Sequence, residues 1–278
     1  MGYVIAMAGT GGTGKTTIAA LIVRLIKEKK LGSVLAIDAD PNSNLAESLG
    51  VKTSATIGGI LDDICAHPEK VPPGMGKDAF IEYQVQTAIA EGEGFDCLTM
   101  GRPEGPGCYC YVNNALRNSL GKLIKDYDYV IIDNEAGLEH LSRRTTRSAD
   151  ALVVVSSPAQ VGLKAAKRIR ELAAELKIKT KKELLIINCA DKDIEKDKIK
   201  DMKLDYLGFI PEDHAVENAS LNGGCLLELG PESISLSALR KIGEPIWRKN
   251  GCLRNGPERS RQWSSGPQDQ KAAPARTP

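Results

Sequence analysis

The chain has 278 residues, a formal net charge of +1 and 42% hydrophobic residues, enough to bury one large α/β core. So balanced a charge argues against a nucleic-acid or anionic-membrane partner. No apolar run reaches transmembrane length, and Lys15 interrupts the first apolar segment, so neither membrane insertion nor a signal peptide is expected. The seven cysteines are expected to be thiols or metal ligands in a reducing, cytoplasmic setting.

The first apolar run, Tyr3 to Ala8, reads as a strand and leads into Gly9-Thr10-Gly11-Gly12-Thr13-Gly14-Lys15-Thr16-Thr17. This matches G-x-x-x-x-G-K-[ST], the phosphate-binding loop, in its proper setting between a strand and a helical pattern over 15–30. Gly11, Gly12 and Gly14 let the backbone N–H groups, with that of Thr13, turn towards phosphate oxygens at a helix N-terminus. Lys15 is placed to reach the β- and γ-phosphates of ATP or ADP, and Thr16 to offer a hydroxyl to Mg²⁺. The second strand, 33–37, runs into Asp38-Ala39-Asp40-Pro41, whose two acidic residues at i, i+2 share one side.

The stretch 52–94 is irregular; Gly58-Gly59 and Pro72-Pro73-Gly74 argue there for short helices and loops. A third strand, 95–100, opens into Gly101-Arg102-Pro103-Glu104-Gly105-Pro106-Gly107-Cys108-Tyr109-Cys110. Thiols at Cys-x-Cys spacing can hardly close a strain-free disulfide, but both can ligate one soft metal ion. Cys108 and Cys110 supply only two ligands, so the simplest closed Ni²⁺ or Zn²⁺ site takes the same pair from a second copy across a two-fold axis. Cys65, Cys97, Cys189 and Cys225 read as buried thiols, and His67, His140 and His214 lack metal-ligand spacing.

After a helical pattern over 111–125, the fourth strand, 129–133, ends in Asp133-Asn134-Glu135-Ala136-Gly137. A carboxylate at the end of an apolar strand suits a Mg²⁺-bound water, and the glycine four residues on suits a loop that meets a γ-phosphate. Strands are predicted over 151–156, 183–188 and 206–210, and helices over 161–176 and 236–247. In the first of these helices Ala165, Ile169, Leu172 and Leu176 make an apolar stripe. The sixth strand ends in Asn188-Cys189-Ala190-Asp191, where Asn188 suits an adenine edge. Asn-x-x-Asp also leaves a guanine-reading alternative open, although Cys189 stands where that motif has lysine. Pro211 and Glu212, after the seventh strand, belong to a second base-holding loop. The expected fold is a doubly wound, mainly parallel sheet of about seven strands with helices on both faces, over 1–250. Residues 251–278 read as a disordered or artificially appended tail, with five basic residues against two acidic ones.

Taken together, these motifs resemble the deviant-Walker-A ATPases, the group of MinD, ParA, nitrogenase iron protein and the arsenite-pump ATPase. The stretch Gly101 to Asn113 is similar to the CooC family of nickel-insertion accessory ATPases of carbon monoxide dehydrogenase. The resemblance implies an ATP-dependent metallochaperone, a homodimer with a shared Cys₄ metal site formed by Cys108 and Cys110. Its recipient would be apo carbon monoxide dehydrogenase or acetyl-CoA synthase. It also implies that Lys15, Thr16 and Thr17 bind phosphates and Mg²⁺, that Asp40 orients the attacking water, that Asp38 and Asp133 hold Mg²⁺ waters, and that Asn188 contacts the base. One departure is Thr10: the group carries a lysine there, and without it hydrolysis is expected to be slow. Two alternatives stand beside this reading. One is a positioning ATPase of the MinD or ParA kind, for which the segment 239–249 is a poor membrane helix because Gly243 and Pro245 break it. The other is an iron–sulfur electron donor, which would need a cysteine in the loop after Asp133.

Overall fold

Short runs of Val, Ile and Leu bounded by glycine or polar residues make strands buried on both faces, and amphipathic runs between them make the covering helices. The computed structural model describes residues 2–40, 44–101, 110–135 and 148–248, with backbone alone for 110–114. In chain order its principal elements are β1 (Tyr3–Ala8), α1 (Lys15–Glu28), β2 (Val34–Ala39), α2 (Asn44–Ser48), α3 (Ile57–Ala66) and α4 (Lys77–Thr87). Then come β3 (Ala90–Gly92), β4 (Phe95–Thr99), α5 (Cys110–Leu123), β5 (Tyr129–Asn134), β6 (Ser148–Ser156) and α6 (Gln160–Glu175). The last are β7 (Lys179–Asn188), β8 (Asp205–Ile210), α7 (His214–Leu221), α8 (Ile234–Ile242) and α9 (Glu244–Trp247).

The eight strands form one sheet in the order β3-β4-β2-β5-β1-β6-β7-β8. Every neighbouring pair is parallel except β3 with β4. The expected doubly wound sheet is therefore present, with eight strands in place of about seven. The additional one, β3, has only three residues and folds back on β4 as an antiparallel edge hairpin. Its sequence, Ala90-Glu91-Gly92, carries no β-branched residue, which is why pattern alone passes over it.

Side-chain alternation along the strands divides the core into two layers. Val4, Ala6, Leu35, Ile37, Leu98 and Ile132 face one layer, packed against α5 and α6. Ile5, Met7, Ala36, Cys97 and Ile131 face the other, beneath α1 and α8. Helix α1 is so enclosed that Ile18 to Val23, Leu25 and Ile26 are each at most 1% exposed. At the amino edge of the sheet the segment 245–248 is clamped. Lys182 Nζ donates to the carbonyls of Pro245 (2.8 Å) and Arg248 (2.6 Å), and Tyr129 OH donates to the carbonyl of Trp247 (3.1 Å).

The short helices expected over 52–94 are present, and Gly58 and Gly59 lie in the first turn of one of them, α3. Thr56 caps that helix by accepting from Gly59 N (3.1 Å), Gly58 N donates to the Met100 carbonyl (2.7 Å), and Ile57, Leu61 and Ile64 are buried. These contacts outweigh the roughly 1 kcal/mol a helical glycine costs. The single helix expected over 236–247 is two, α8 and α9, divided at Gly243. In α6 the buried face is Leu163, Ala166, Ile169 and Ala173, so of the expected stripe only Ile169 is buried, while Leu176 reaches solvent.

The central strands depend on side chains with no path to water. Ile131→Ala in β5, where Ile131 is fully buried, should cost about 2–5 kcal/mol of unfolding free energy, measured by urea denaturation.

Candidate functional site

The carboxyl edge of a parallel sheet, where the strand order turns back on itself, is where such folds bind ligands. Here β1 lies between β5 and β6, and the loop leaving it carries the glycine-rich motif. Gly9 and Gly14 are the two glycines whose freedom matters most. Gly14 has φ 85°, a left-handed conformation, and its Cβ would collide with the Asn188 amide. Gly9 has φ 156°, and its Cβ would strike the Val155 carbonyl and the Thr13 hydroxyl. A side chain at either position would push the loop off the sheet. Gly11 and Gly12 are exposed with open space around them, so the loop presents bare backbone to an incoming anion.

Internal bonds hold the loop. Thr13 Oγ1 (2.9 Å) and Lys15 Nζ (3.1 Å) both donate to the Thr10 carbonyl. Lys15 is only 7% exposed, so its charge is concentrated within the loop rather than dispersed in solvent. Asn188, at the end of β7, donates from Nδ2 to the Thr13 carbonyl at 2.9 Å. It therefore braces the phosphate loop itself, a task not read from the sequence. Cys189 follows it with φ 54°, and burial followed by the neighbouring charge of Glu212 pushes its thiol up. Ala190 N donates to the Ile210 carbonyl at 3.2 Å, which brings the β7 and β8 loops, and with them Pro211 and Glu212, alongside one another. Asp213, not singled out from the sequence, binds that second loop to the helices after it. It accepts from Ala215 N (2.9 Å), Ser233 Oγ (2.6 Å) and Ser235 N (2.9 Å).

The acidic residues lie on the other side of β1. Asp38 and Asp133 are register partners on adjacent parallel strands, 0% and 1% exposed. Thr16 Oγ1 donates to Asp133 Oδ2 at 2.5 Å, joining the start of α1 to the end of β5. Asp133 Oδ1 has no partner among the described residues. Asp38 accepts from the backbone N–H of Asp40 (Oδ1, 3.1 Å) and of Leu45 (Oδ2, 2.8 Å). Burial, with the Asp133 charge alongside, pushes Asp38 up to about 7 despite those two bonds. Burial pushes Asp133 up to about 6, against the Thr16 hydrogen bond and the Lys15 charge. A buried carboxylate oxygen without a partner, next to a threonine hydroxyl, is a hard-oxygen donor set that fits a divalent cation such as Mg²⁺. Asn134, buried beside this pair, donates to the Met7 carbonyl at 2.8 Å and fixes the end of β1. Its signal was visible as the residue that follows Asp133.

The structure thus brings together Lys15, Thr16, Asp38, Asp40, Asp133, Thr13, Gly14 and Asn188 through direct bonds or strand register. Cys108, Gly137 and His140 lie outside the described residues, and Cys110 is described only as the first residue of α5. Three cysteine expectations are corrected: Cys65 and Cys189 are exposed and Cys225 is half-buried, which leaves Cys97 as the buried thiol among the four. Cys65 and Cys189 sit near the ends of a helix and a strand, where the covering layer stops. His67 and His214 are exposed and pair with Glu69 and Glu217. Among the described residues no helix is long and apolar enough to cross a membrane.

Residues 4–226 match the model of the CobQ/CobB/MinD/ParA nucleotide binding domain. The chain belongs to this family. An uncharacterized ATP-binding protein of Methanocaldococcus jannaschii is 38% identical to it over 251 residues, covering 88% of this chain and 99% of the relative. The carbon monoxide dehydrogenase accessory protein CooC of Rhodospirillum rubrum is 31% identical over 243 residues, covering 82% and 90%. In fold, the chain is similar to the septum site-determining protein MinD of Pyrococcus horikoshii, solved with Mg-ADP. The TM-score is 0.65 at 24% identity, covering 88% of this chain and 96% of that one.

The raised carboxylates set a pH dependence. Between the ordinary aspartate value of 3.8 and the folded values of about 6 and about 7, the native state binds more protons than the unfolded state. The contribution of the two groups is therefore fully present at low pH and is lost as pH rises through 6 to 7. Thermal melts of the chain in chelator should show a lower Tm at pH 8 than at pH 5.5. Asp38→Asn should flatten that slope; an unchanged slope in the variant would assign it to other groups.

Proposed function

We propose that this chain is a Mg²⁺-dependent ATPase that works as a cytoplasmic homodimer and delivers nickel into an apo-enzyme of the carbon monoxide dehydrogenase or acetyl-CoA synthase type. The observation that carries the nucleotide half is the Thr16–Asp133 bond joining the phosphate loop to a buried strand-end carboxylate, with Asp38 in register beside it. In this reading the backbone N–H groups of the loop and the Lys15 ammonium bind the β- and γ-phosphates of ATP. Thr16 and Asp133 would hold Mg²⁺, which neutralises phosphate charge when bound. Asp40, half-exposed one residue beyond β2, accepts the proton of the attacking water. Asn188, Pro211 and Glu212 border the base.

The metal half rests on two supports, the Cys108-Tyr109-Cys110 spacing and the 31% identity to an accessory protein of carbon monoxide dehydrogenase. Nickel, or zinc in its place, is cargo held by four thiolates, two from each subunit. Thr10 is exposed at the loop position where the deviant-Walker-A group has lysine, so turnover is slow.

Two measurements test this reading. Asp40→Asn should keep ATP affinity within about two-fold in calorimetry while lowering kcat on the order of 100-fold, because an amide cannot take the proton. Hydrolysis at the parent rate would remove Asp40 from that role. Titration with Ni²⁺ or Zn²⁺, followed by mass determination in solution, should find one ion per two chains, bound in the dimer. Changing both Cys108 and Cys110 to Ser should abolish that ion and leave ATP binding intact. A metal-bound monomer would defeat the shared site.

A further inference from the structure

The strand edge that carries Asp38 and Asp133 holds a third polar side chain that neither the motifs nor the reading above employs. Thr99 ends β4, is 0% exposed, and its hydroxyl has no hydrogen-bond partner among the described residues. It is the register partner of Asp38, as Asp38 is of Asp133. Alternation puts all three on one face of the sheet. Cys97, Ala36 and Ile131, two residues before each, belong to the core layer beneath α1, whereas Leu98, Ile37 and Ile132 belong to the opposite layer. Thr99, Asp38 and Asp133 therefore form a buried row across β4, β2 and β5, each about 4.8 Å from the next strand.

A buried hydroxyl left unbonded costs about 1–3 kcal/mol, and valine would fill the same volume on a strand without that cost. A neighbour able to take the proton is the Asp38 carboxylate, its register partner on β2. It has about four acceptor sites, of which the Asp40 and Leu45 N–H groups occupy two. Rotation about one side-chain torsion brings a threonine hydroxyl to an adjacent carboxylate on the same face of a parallel pair. Those two N–H bonds tie Asp40 and the first turn of α2 to the end of β2.

We propose that Thr99 is a positioning residue for nucleotide hydrolysis: its hydroxyl donates to Asp38, holds that carboxylate on the backbone N–H groups of Asp40 and Leu45, and thereby fixes Asp40 for the attacking water. This rests on the assignment of Asp40 above. Thr99 touches neither nucleotide nor water; it acts through Asp38. A misplaced general base lowers the rate of the chemical step while ground-state phosphate binding, which belongs to Lys15 and the loop backbone, is spared.

The test uses the full chain with Thr99→Val, of the same shape without the hydroxyl, and Thr99→Ser, which keeps it. For Thr99→Val the expected result is a fall in kcat on the order of 10-fold, with KM and ATP affinity within about two-fold and a modestly lower Tm, because a buried carboxylate loses one donor. Thr99→Ser should recover the parent kcat, and Thr99→Val added to Asp40→Asn should lower kcat no further. Hydrogen exchange at the Asp40 and Leu45 amides should be faster in Thr99→Val and at the parent rate in Thr99→Ser. Unchanged kcat and unchanged exchange in Thr99→Val would overturn the proposal. So would a joint loss of Tm, affinity and kcat that serine does not rescue, since that is a packing role. If the parent chain hydrolyses no ATP, the assignment of Asp40 fails on its own, and the exchange rates alone decide whether Thr99 holds Asp38.

Discussion

Two carboxylates on neighbouring parallel strands, Asp38 and Asp133, are held out of water at one strand spacing from each other, and the carboxyl edge of the sheet is arranged around the cost of keeping them there. Burial raises both groups towards neutrality, and the Asp133 charge adds to this at Asp38 as the Asp40 charge does at Asp133. The surrounding structure meets part of that cost with the Thr16 hydroxyl as donor and the Lys15 charge nearby for Asp133, and with two backbone N–H donors for Asp38. One oxygen of Asp133 is left without a partner among the described residues. An arrangement of this kind is poor as a piece of core and suitable as a receiver of positive charge. That is the physical reason to read the edge as a nucleotide-and-cation site rather than as a set of strand-end aspartates.

The phosphate loop is positioned from the opposite side of β1. Asn188 reaches from β7 to the Thr13 carbonyl, and Gly14 lacks a side chain where that amide lies. Loop, β7 and helix α1 are thereby joined, because the residue that ends β7 also braces the turn from which α1 starts. The β7 and β8 loops are joined by the Ala190–Ile210 bond, and Asp213 links the β8 end to α7 and α8. The acidic strands β2 and β5 and the strands β7 and β8 thus lie on opposite sides of β1 and its loop.

Much of this was legible in the sequence, for identifiable reasons. The phosphate loop is a contiguous motif whose spacing is dictated by the chemistry it performs, so Gly9 to Thr17 could be read without any tertiary contact. Strands buried on both faces appear as unbroken apolar runs, as in Val130-Ile131-Ile132, and those were located to within a few residues. What escaped was short or dependent on partners. Strand β3 has three residues and no β-branched side chain, and α3 begins on two glycines that only its cap and its contact with Met100 make tolerable. The exposure of Cys65 and Cys189 followed from where the covering helices stop, which no local pattern encodes.

The chain order of its residues determined that this protein has a phosphate loop between a strand and a helix, acidic residues at the ends of two later strands, and a parallel sheet to carry them. Each of these is a local property, set by side-chain period, glycine content and spacing along the chain. Only the tertiary structure decided which strands are neighbours. The crossover that places β5 between β2 and β1 is what sets Asp133 beside Asp38, although the two are far apart in sequence. The pairing of β4 with β2 sets Thr99 beside Asp38, and the end of β7 brings Asn188 to Thr13. Strand order is settled by the summed burial of both sheet faces and by the connections between strands, and so it is a property of the whole fold that no segment carries alone.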